Sequence, residues 1–427
     1  MRILALCSFA VLLHAQQEPD NLLSHARAKT TEALSRLSNY MCTETVERNQ
    51  YALGPAYSCA GLLAHRENAH RTVSDRLRLD VGVGAKGEMY SWAGENRFHD
   101  NLNRFASQGA ISNGSFDFFL RAIFLTDQAV FSYVGESVDH GRRLAEFRYR
   151  VSRATSHYEL VGRIRITTAY EGTFLVDPKT FDLVRLVVRT EELPPETGSC
   201  QAETTLDYRL VHLNDSEFLL PATTHLQIVN LDGVEKDNLT AFAACHEFRG
   251  ESTLSFGDPA DVPAARTEAL AAAVAAPAIP DGLPFEVVFT QDIETATAAV
   301  GDRITAQLAS AIRDKSSTIL APAGTAVTVR IVEMRHLYKP VSKALISFRL
   351  ESLNVGGTPE PFTASAKSNA ASRRRAGFLV AQKLSRLDMS GDHGAAQMMF
   401  SDPKHNLLIK SGLRSSWFTG EPSKAAH

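Results

Sequence analysis

The sequence predicts a mainly β fold of the α+β class: a large curved antiparallel sheet with an N-terminal helix and a lid helix, then a second small β-barrel-like domain. Long stretches alternate apolar and polar residues with the period of a strand, and turn-forming residues separate them. An alanine- and proline-rich stretch with few large apolar side chains divides two such regions. The 427 residues are 44% hydrophobic, which is ample for two packed cores.

These observations divide the chain into five parts. We predict a signal peptide over residues 1–15, a sheet domain with helices over 16–257, a linker over 258–283, a small β domain over 284–421 and a disordered tail over 422–427.

The first residues have the pattern of an export signal. Arg2 provides a short basic region, residues 3–13 form an apolar run, and Ala15 is a small residue at a cleavage position. The run is shorter than the roughly 20 residues that span a bilayer, and no later segment approaches that length. We therefore expect no transmembrane segment and a mature protein that is periplasmic or secreted.

Four cysteines remain after the signal: Cys42, Cys59, Cys200 and Cys245. An even number suits disulfide bonding in an oxidising compartment. Of the three pairings that four cysteines permit, we favour Cys42 with Cys59 and Cys200 with Cys245. The close Cys and His spacings typical of zinc sites are missing, so we expect no metal.

The balance of charge bears on the partner. Lys and Arg number 45 against 48 for Asp and Glu, a formal net charge of −3. Nucleic-acid-binding domains concentrate positive charge, so we expect no nucleic-acid partner.

The sheet domain begins with a helix that Asp20 is expected to cap. Its apolar residues return at helical spacing: Leu22, Leu23, Ala26, Ala33, Leu34 and Leu37. Residues 76–83 then alternate in the manner of a strand with one wet face, and similar stretches continue to residue 250. Residues 114–125 interrupt the alternation with a helical stripe, for which Ser115 is the expected N-cap.

A tight turn lies between two of the strands, at Asp177-Pro178-Lys179-Thr180. Asp177 has the side chain to bond the backbone two residues on, and Pro178 presets φ for the turn. We interpret this acidic and basic cluster as a hairpin and not as a catalytic site.

In the second domain the sequence pattern again predicts short strands separated by turns. A polar stretch within it carries three consecutive arginines, Arg373, Arg374 and Arg375. They predict a basic surface, either a solvated loop or a contact with an anionic lipid or polymer.

Four short motifs, Cys42–Thr45, Gly114–Phe116, Asp177–Thr180 and Phe218–Pro221, resemble those of uncharacterised exported bacterial proteins. More distantly, an N-terminal helix on a large antiparallel sheet resembles the LolA-like periplasmic carriers. That resemblance implies a hollow between sheet and helices that holds acyl chains. The C-terminal part is loosely similar to small β-barrel modules of envelope and secretion assemblies.

The motifs that imitate catalytic sites have the wrong spacing. Ser401–Lys404 and Lys410–Gly412 imitate two motifs of penicillin-recognising serine enzymes, but they lie too close together and Pro403 interrupts the required helix. His65 and His70 do not have the spacing of zinc proteases. We expect no catalytic residue and no cofactor.

The predicted function is that of an exported, non-catalytic envelope protein whose sheet binds an apolar or lipid-like ligand. The alternatives are a structural or protein-interaction component of the envelope and, third, a hydrolase with an unrecognised site. The expected ligand contacts are aromatic and aliphatic, and a filled core is the first alternative for them: Phe116, Phe119, Leu120, Ile123, Phe124, Phe131 and Tyr133.

Overall fold

The structure is a computed structural model that describes residues 5–35, 40–54, 58–84, 87–95, 97–105, 111, 114–126, 128–213, 216–247, 279–355, 357–366 and 394–421. The chain divides into two compact units, Met1–Arg249 and Gly250–His427. Among the described residues, no helix is long and apolar enough to cross a membrane. Arg373–Arg375, the tail and all but residues 279–283 of the predicted linker lie outside the described residues.

The helices of the first unit are α1 (Ala5–Ser35), α2 (Cys59–Ala64) and α3, which is α-helical over Phe118–Leu120 and π-helical over Arg121–Leu125. Short 3₁₀ turns cover Arg66–Asn68, Leu102–Arg104 and Pro195–Thr197. The strands are β1 (Tyr40–Ala52), β2 (His70–Gly84), β3 (Gly87–Trp92), β4 (Ala129–Asp139), β5 (Arg142–Val151), β6 (Glu159–Val161), β7 (Arg165–Thr167), β8 (Tyr170–Val176), β9 (Leu183–Thr190), β10 (Ser199–Leu213), β11 (Ser216–Asn230) and β12 (Val234–Glu247).

Ten of these strands form one antiparallel sheet in the order β4–β5–β8–β9–β10–β11–β12–β1–β2–β3. β6 and β7 pair separately with each other. Most neighbours in the sheet are also neighbours in the chain, as in a meander, and β12 closes against β1. The predicted large antiparallel sheet is confirmed.

One face of the sheet, here called the inner face, is buried across its width. Directly opposed residues form a row from β5 to β2: Phe147, Phe174, Leu186, Leu206, Thr224, Thr240, Val46 and Leu77. All of them are buried. Because strand side chains alternate between faces, this register places the apolar half of each predicted strand toward one core.

Helix α1 differs from the predicted helix at its start. It is continuous from Ala5, so Pro19 and Asp20 lie inside it and Asp20 caps nothing. Ala, Leu, Gln and Glu, which are strong helix formers, flank Pro19 and outweigh its missing N–H. Ala26, Thr30 and Leu34 recur every fourth residue and form its buried stripe. The signal-peptide cleavage at Ala15 stays a prediction.

The β8–β9 hairpin at Asp177 is confirmed. Its Oδ1 accepts hydrogen bonds from the backbone N–H groups of Lys179 at 2.9 Å and Thr180 at 3.4 Å, as in an Asx turn. The same turn holds α1, because Lys29 Nζ donates to the Thr180 carbonyl at 2.7 Å and lies 2.7 Å from the carboxylate of Asp182. The stretch therefore positions a helix.

The start of α3 is held by a residue that the sequence did not indicate. The expected cap at Ser115 is wrong, since the helix begins at Phe118 without a side-chain cap. Instead, the Glu88 carboxylate on β3 accepts the N–H groups of Gly114 at 2.6 Å and Phe116 at 3.0 Å. Gly114 has φ +84°, and a Cβ there would lie 2.8 Å from Phe118 Cβ, so this turn requires glycine.

The predicted disulfide pairing is wrong, although all four cysteines are bonded. The bridges join Cys42 to Cys245 and Cys59 to Cys200. Proximity in sequence favoured the other pairing, but the sheet order places β12 beside β1. A register shift opposite Cys42, with Ala244 at φ +50°, forms a bulge that brings Cys245 to its partner.

The second unit is again built of β-strands. They are β13 (Pro284–Phe289), β14 (Ile293–Glu294), β15 (Arg303–Leu308), β16 (Ile312–Arg313), β17 (Ile319–Ala321), β18 (Ala326–Leu337), β19 (Lys343–Val355), β20 (Thr358–Pro361), β21 (Ala364–Ala366), β22 (Ala396–Ser401), β23 (Leu408–Ile409) and β24 (Arg414–Thr419). Most are short, as expected, but β18 and β19 have 12 and 13 residues.

The central strand order of this unit is β22–β19–β18–β15–β13–β24–β21, and β20 pairs with the far end of β19. β14 pairs with β23, and β16 with β17. The bounds predicted for the small β domain, 284–421, stay a prediction.

Candidate ligand site on the inner face of the first unit

The structure brings most of the predicted ligand contacts into one core under α1 and α3. Its members from the predicted set are Phe119, Leu120, Ile123, Phe124 and Phe131. Phe116 lies apart from them, with its ring centroid 4.9 Å from that of Phe242 on β12. Tyr133 sits on the outermost strand, 43% exposed, beside Phe147. The predicted set therefore occupies three separate places on the sheet.

Aromatic rings line the inner face beneath α3. Phe174 lies at the centre, with ring centroids at 5.1 Å from Phe124, 5.9 Å from Phe131 and 5.2 Å from Phe147. Contacts of this kind stabilise a core beyond the area they bury. These residues have a packing role, and their contact with a ligand stays a prediction.

An open groove of about 540 Å³ lies where α1 meets α3. Its floor includes Phe124, and Arg27 of α1 reaches across it, donating from Nε to the Phe124 carbonyl at 3.3 Å. The guanidinium carbon lies 5.5 Å from the centroid of Phe131. The volume is within the usual range for small-molecule sites, and the lining includes one of the predicted contacts, Phe124.

A group of acids and phenols occupies another part of the inner face, toward β1 and β3. This acid–phenol cluster consists of Tyr40 and Glu44 on β1, Glu88 and Tyr90 on β3, and Tyr208 on β10. Four of the five are buried, and Glu88 is partly buried. Such groups are expected on the wet face of a strand, so their presence here calls for a physical explanation.

Glu88 is the best satisfied member of the cluster. Besides the N–H groups of Gly114 and Phe116, its carboxylate accepts a hydrogen bond from the hydroxyl of Tyr90. Burial raises its pKa, and these three hydrogen bonds oppose the rise because they favour the charged form. Glu88 therefore acts chiefly as the anchor of α3 on the sheet.

Glu44 is the least satisfied member. Its side chain is 4% exposed and emerges between Leu79 of β2 and Phe242 of β12, which lie directly opposite it. Among the described residues it forms no hydrogen bond. Burial first, and then the nearby Glu88, raise the pKa of Glu44 to about 8. At neutral pH this carboxyl is therefore mostly protonated.

Two phenol hydroxyls complete the cluster. The hydroxyl oxygens of Tyr40 and Tyr208 are buried and have no hydrogen-bond partner within the described part of the chain. The residues are 1% and 7% exposed, respectively. Burial raises the pKa of each hydroxyl well above its ordinary value, and Glu88 and Asp117 add to the rise. Two buried polar groups are therefore left without a hydrogen-bond partner among the described residues.

The charge of the cluster is negative or neutral. Asp117, just before α3, is paired at 2.8 Å with Arg121. No basic side chain is among the main causes of the pKa values of Tyr40, Glu44 or Glu88. No three His, Cys, Asp or Glu side chains in the described ranges are grouped to hold a metal. The cluster can offer hydrogen bonds and one ionisable carboxyl to a ligand.

Sequence reasoning missed this cluster, although one signal was present. Residues 40–46 alternate, and the face that includes Cys42 and Val46 also includes Tyr40 and Glu44. An acid at an apolar position of a strand was therefore visible before the structure. The approach of Glu88 and Tyr90 to Glu44 depends on strand order and was not visible.

The second unit contains a serine beside a histidine, but the two are not arranged as in a catalytic triad. Ser342 Oγ donates to the backbone carbonyl of Asp402 at 2.7 Å and lies 3.3 and 3.4 Å from the two ring nitrogens of His405. The Asp402 carboxylate instead lies 3.5 Å from Nδ1 of His336. A serine–histidine–carboxylate triad requires one histidine to link both groups.

The Lys410–Gly412 motif has a structural role in the second unit. Lys410 Nζ pairs with Asp292 at 2.9 Å, and the Ser411 N–H donates to the same carboxylate at 2.8 Å. These contacts fasten the turn that follows β23 to the residue just before β14.

Comparison with known proteins gives structural similarity only. No family model matches the chain, and no curated protein matches it in sequence. A domain from Vibrio parahaemolyticus, named for outer membrane lipoprotein sorting, is 9% identical, with a TM-score of 0.26 over 54% of this chain and 94% of its own. A DUF1329 family protein from Desulfovibrio piger is 8% identical, with a TM-score of 0.28 over 55% and 94%. A LolA superfamily protein from Nitrosomonas europaea is 9% identical, with a TM-score of 0.26 over 54% and 93%.

Proposed function

We propose that the first unit is an exported, non-catalytic binding protein for an amphipathic, lipid-like ligand. The apolar part of the ligand lies on the inner face between the sheet, α1 and α3, and its polar end reaches the acid–phenol cluster. The groove beside Arg27 is the route of entry.

One observation supports this proposal above all others: the buried hydroxyls of Tyr40 and Tyr208 have no partner among the described residues. An unsatisfied buried hydroxyl costs about 1–3 kcal/mol, so native proteins rarely keep one. Ligand sites, in contrast, are mostly apolar with a few fixed polar groups. The polar end of a ligand supplies the partner that the chain does not.

Export is supported by the two disulfides, which join residues far apart in the chain, and by the signal-like N-terminus. Disulfides of this kind persist in oxidising compartments and are rare in the cytosol. The proposed location of the protein is therefore the periplasm or the outside of the cell.

The proposal is tested by calorimetric titration of the mature chain with octan-1-ol, decan-1-ol and dodecan-1-ol. Burial of the alkyl chain predicts an affinity that rises about fourfold for each added methylene. The double variant Tyr40→Phe, Tyr208→Phe should weaken all three alcohols by the same factor and keep the dependence on length. Its control is Tyr51→Phe, since Tyr51 contacts Arg71 at the surface.

Loss of the length dependence in the wild type, or no binding at all, would contradict the proposal. The two tyrosine substitutions remove unpaired hydroxyls, so the variant should fold at least as stably as the wild type. Weak binding by this variant is then attributable to the site.

A second candidate, a protein-interaction component, is favoured by strand β4. In the described ranges β4 pairs only with β5, so its other edge is open. Val130 and Val138 are 74% and 69% exposed. An open edge with exposed apolar side chains accepts a further strand, here from a second copy of the chain.

Sedimentation velocity tests this candidate. A concentration-dependent dimer that Val130→Lys with Val138→Lys abolishes would support it, and Val161→Lys on the separate β6–β7 hairpin is the matched control. A wild type that stays monomeric at high concentration would exclude it.

A further inference from the structure

We infer that the acid–phenol cluster recognises a protonated amine and that Glu44 is the counter-ion of the bound ammonium group. This inference rests on the proposed function, because it names the polar end of the same ligand. It separates amines from the fatty acids and alcohols of equal length that an apolar site alone would accept.

The charged groups of the cluster favour a cationic ligand. The Glu88 carboxylate is satisfied by three donors, and Asp117 is paired with Arg121. Glu44 has neither a donor nor a basic partner among the described residues, although it is almost fully buried. A buried carboxyl of this kind is the group that gains most from a charged hydrogen-bond donor.

The hydroxyl of Tyr90, which lies near Glu44, and the aromatic rings close by suit the same ligand. An ammonium group has three donors and no acceptor, while a phenol oxygen accepts as well as donates. The ring centroid of Phe116 lies 5.4 Å from that of Tyr40 and 4.9 Å from that of Phe242. Phe242 is the residue opposite Glu44 on β12. Aromatic faces attract cations. A carboxylate ligand would instead meet the like charge of Glu88.

Binding of the ammonium group releases one proton, which comes from Glu44. In the free protein Glu44 holds a proton at neutral pH, since its pKa is about 8. When the ammonium group binds, the O–H bond of Glu44 breaks, the proton passes to the buffer, and a carboxylate–ammonium pair remains. No other proton is gained or lost, and no oxidant or co-reactant is needed.

The groups that face Glu44 do not disturb this account. Leu79 and Phe242, its direct neighbours in the sheet, do not titrate. Of the cluster, Tyr90 lies near Glu44, and burial raises the pKa of its hydroxyl further above the range of the experiment. The remaining acid is Glu88, whose charge is already part of the pKa of Glu44.

The experiment is isothermal titration calorimetry of the mature full chain with dodecylamine, dodecan-1-ol and dodecanoate. Measurements in two buffers of different ionisation enthalpy give the number of protons released. The amine should bind at least about tenfold more tightly than the alcohol, with dodecanoate weakest. It should release about one proton at pH 7, and its affinity should rise about 50-fold from pH 6 to pH 8 as the ionised fraction of Glu44 grows.

The variant Glu44→Gln should release no proton and should lose the preference for the amine over the alcohol. A far-ultraviolet circular dichroism spectrum that matches that of the wild type shows that the variant is folded. Glu47→Gln, on the same strand with its side chain 46% exposed and paired with Arg76, should behave as the wild type.

The possible outcomes distinguish a failure of the amine inference from a failure of the proposed function. If the alcohol binds but the amine is not preferred, or no proton is released by the wild type, the amine inference is wrong and the proposed function stands. If none of the three amphiphiles binds, both are wrong.

Discussion

The variant Glu44→Gln is expected to change how the stability of the first unit depends on pH. The raised pKa of Glu44 means that the folded protein keeps a proton which the unfolded chain releases above its ordinary value of 4.5. The stability of the wild type is then fully present below about pH 4.5 and is lost progressively as pH rises to about 8. Glutamine does not ionise, so the variant lacks this loss.

The magnitude follows from the size of the shift. From 4.5 to about 8 is about 3.5 pK units, and at 1.36 kcal/mol per unit the stability lost is on the order of 5 kcal/mol above pH 8. Gln and protonated Glu have similar size and polarity, so the two proteins should be about equally stable near pH 4.5. The variant should then become the more stable protein as pH rises.

The assay is urea unfolding between pH 4.5 and 9 with the disulfides intact. The chain has two tryptophans, Trp92 in the first unit and Trp417 in the second, so a Trp417→Phe background reports on the first unit alone. Glu47→Gln is the control and should follow the wild type. Parallel stability curves for wild type and Glu44→Gln across this range would refute the argument that Glu44 is buried and unpaired.

Three further predictions concern the fold. Gly114→Ala should destabilise the first unit by roughly 1–3 kcal/mol in thermal unfolding, because φ is +84° and its Cβ would meet Phe118, whereas Gly54→Ala, with no atom within 4 Å, should be nearly neutral. Non-reducing peptide mapping should link Cys42 to Cys245 and Cys59 to Cys200, and Cys59→Ser with Cys200→Ser should cost about 2–5 kcal/mol; a Cys42–Cys59 peptide would contradict the sheet order. Limited proteolysis should cut first within residues 258–283, predicted from their composition to be a linker, and first cuts elsewhere would contradict a two-domain chain.

The elements that depend on local sequence were predictable. Alternation identified the strands, and the turn chemistry of Asp177 identified the β8–β9 hairpin, because both effects act between residues close in the chain. The start of α3 was not predictable, because Glu88, which holds it, lies on a strand 26 residues before Gly114. The disulfide pairing failed for the same reason, since Cys42 and Cys245 become neighbours only when β12 closes against β1.

The site was predictable only in part. The aromatic stripe of α3 was recognised, and most of it lies in one core. The acid–phenol cluster depends on which strands become neighbours. The position of Glu44 on an alternating strand gave no indication of which residues of other strands would lie near it. The order of strands is therefore the information that the sequence lacked.

Native mass spectrometry of the mature protein, purified without added ligand from the compartment to which its own host exports it, tests the central claim most directly. The account predicts a wild-type species heavier than the bare chain by the mass of a small amphiphile, which collisional activation removes. The Tyr40→Phe, Tyr208→Phe variant should carry less of it. A wild type observed only at the mass of the bare chain, under conditions that keep a known lipid complex intact, would contradict the claim that the inner face holds a ligand.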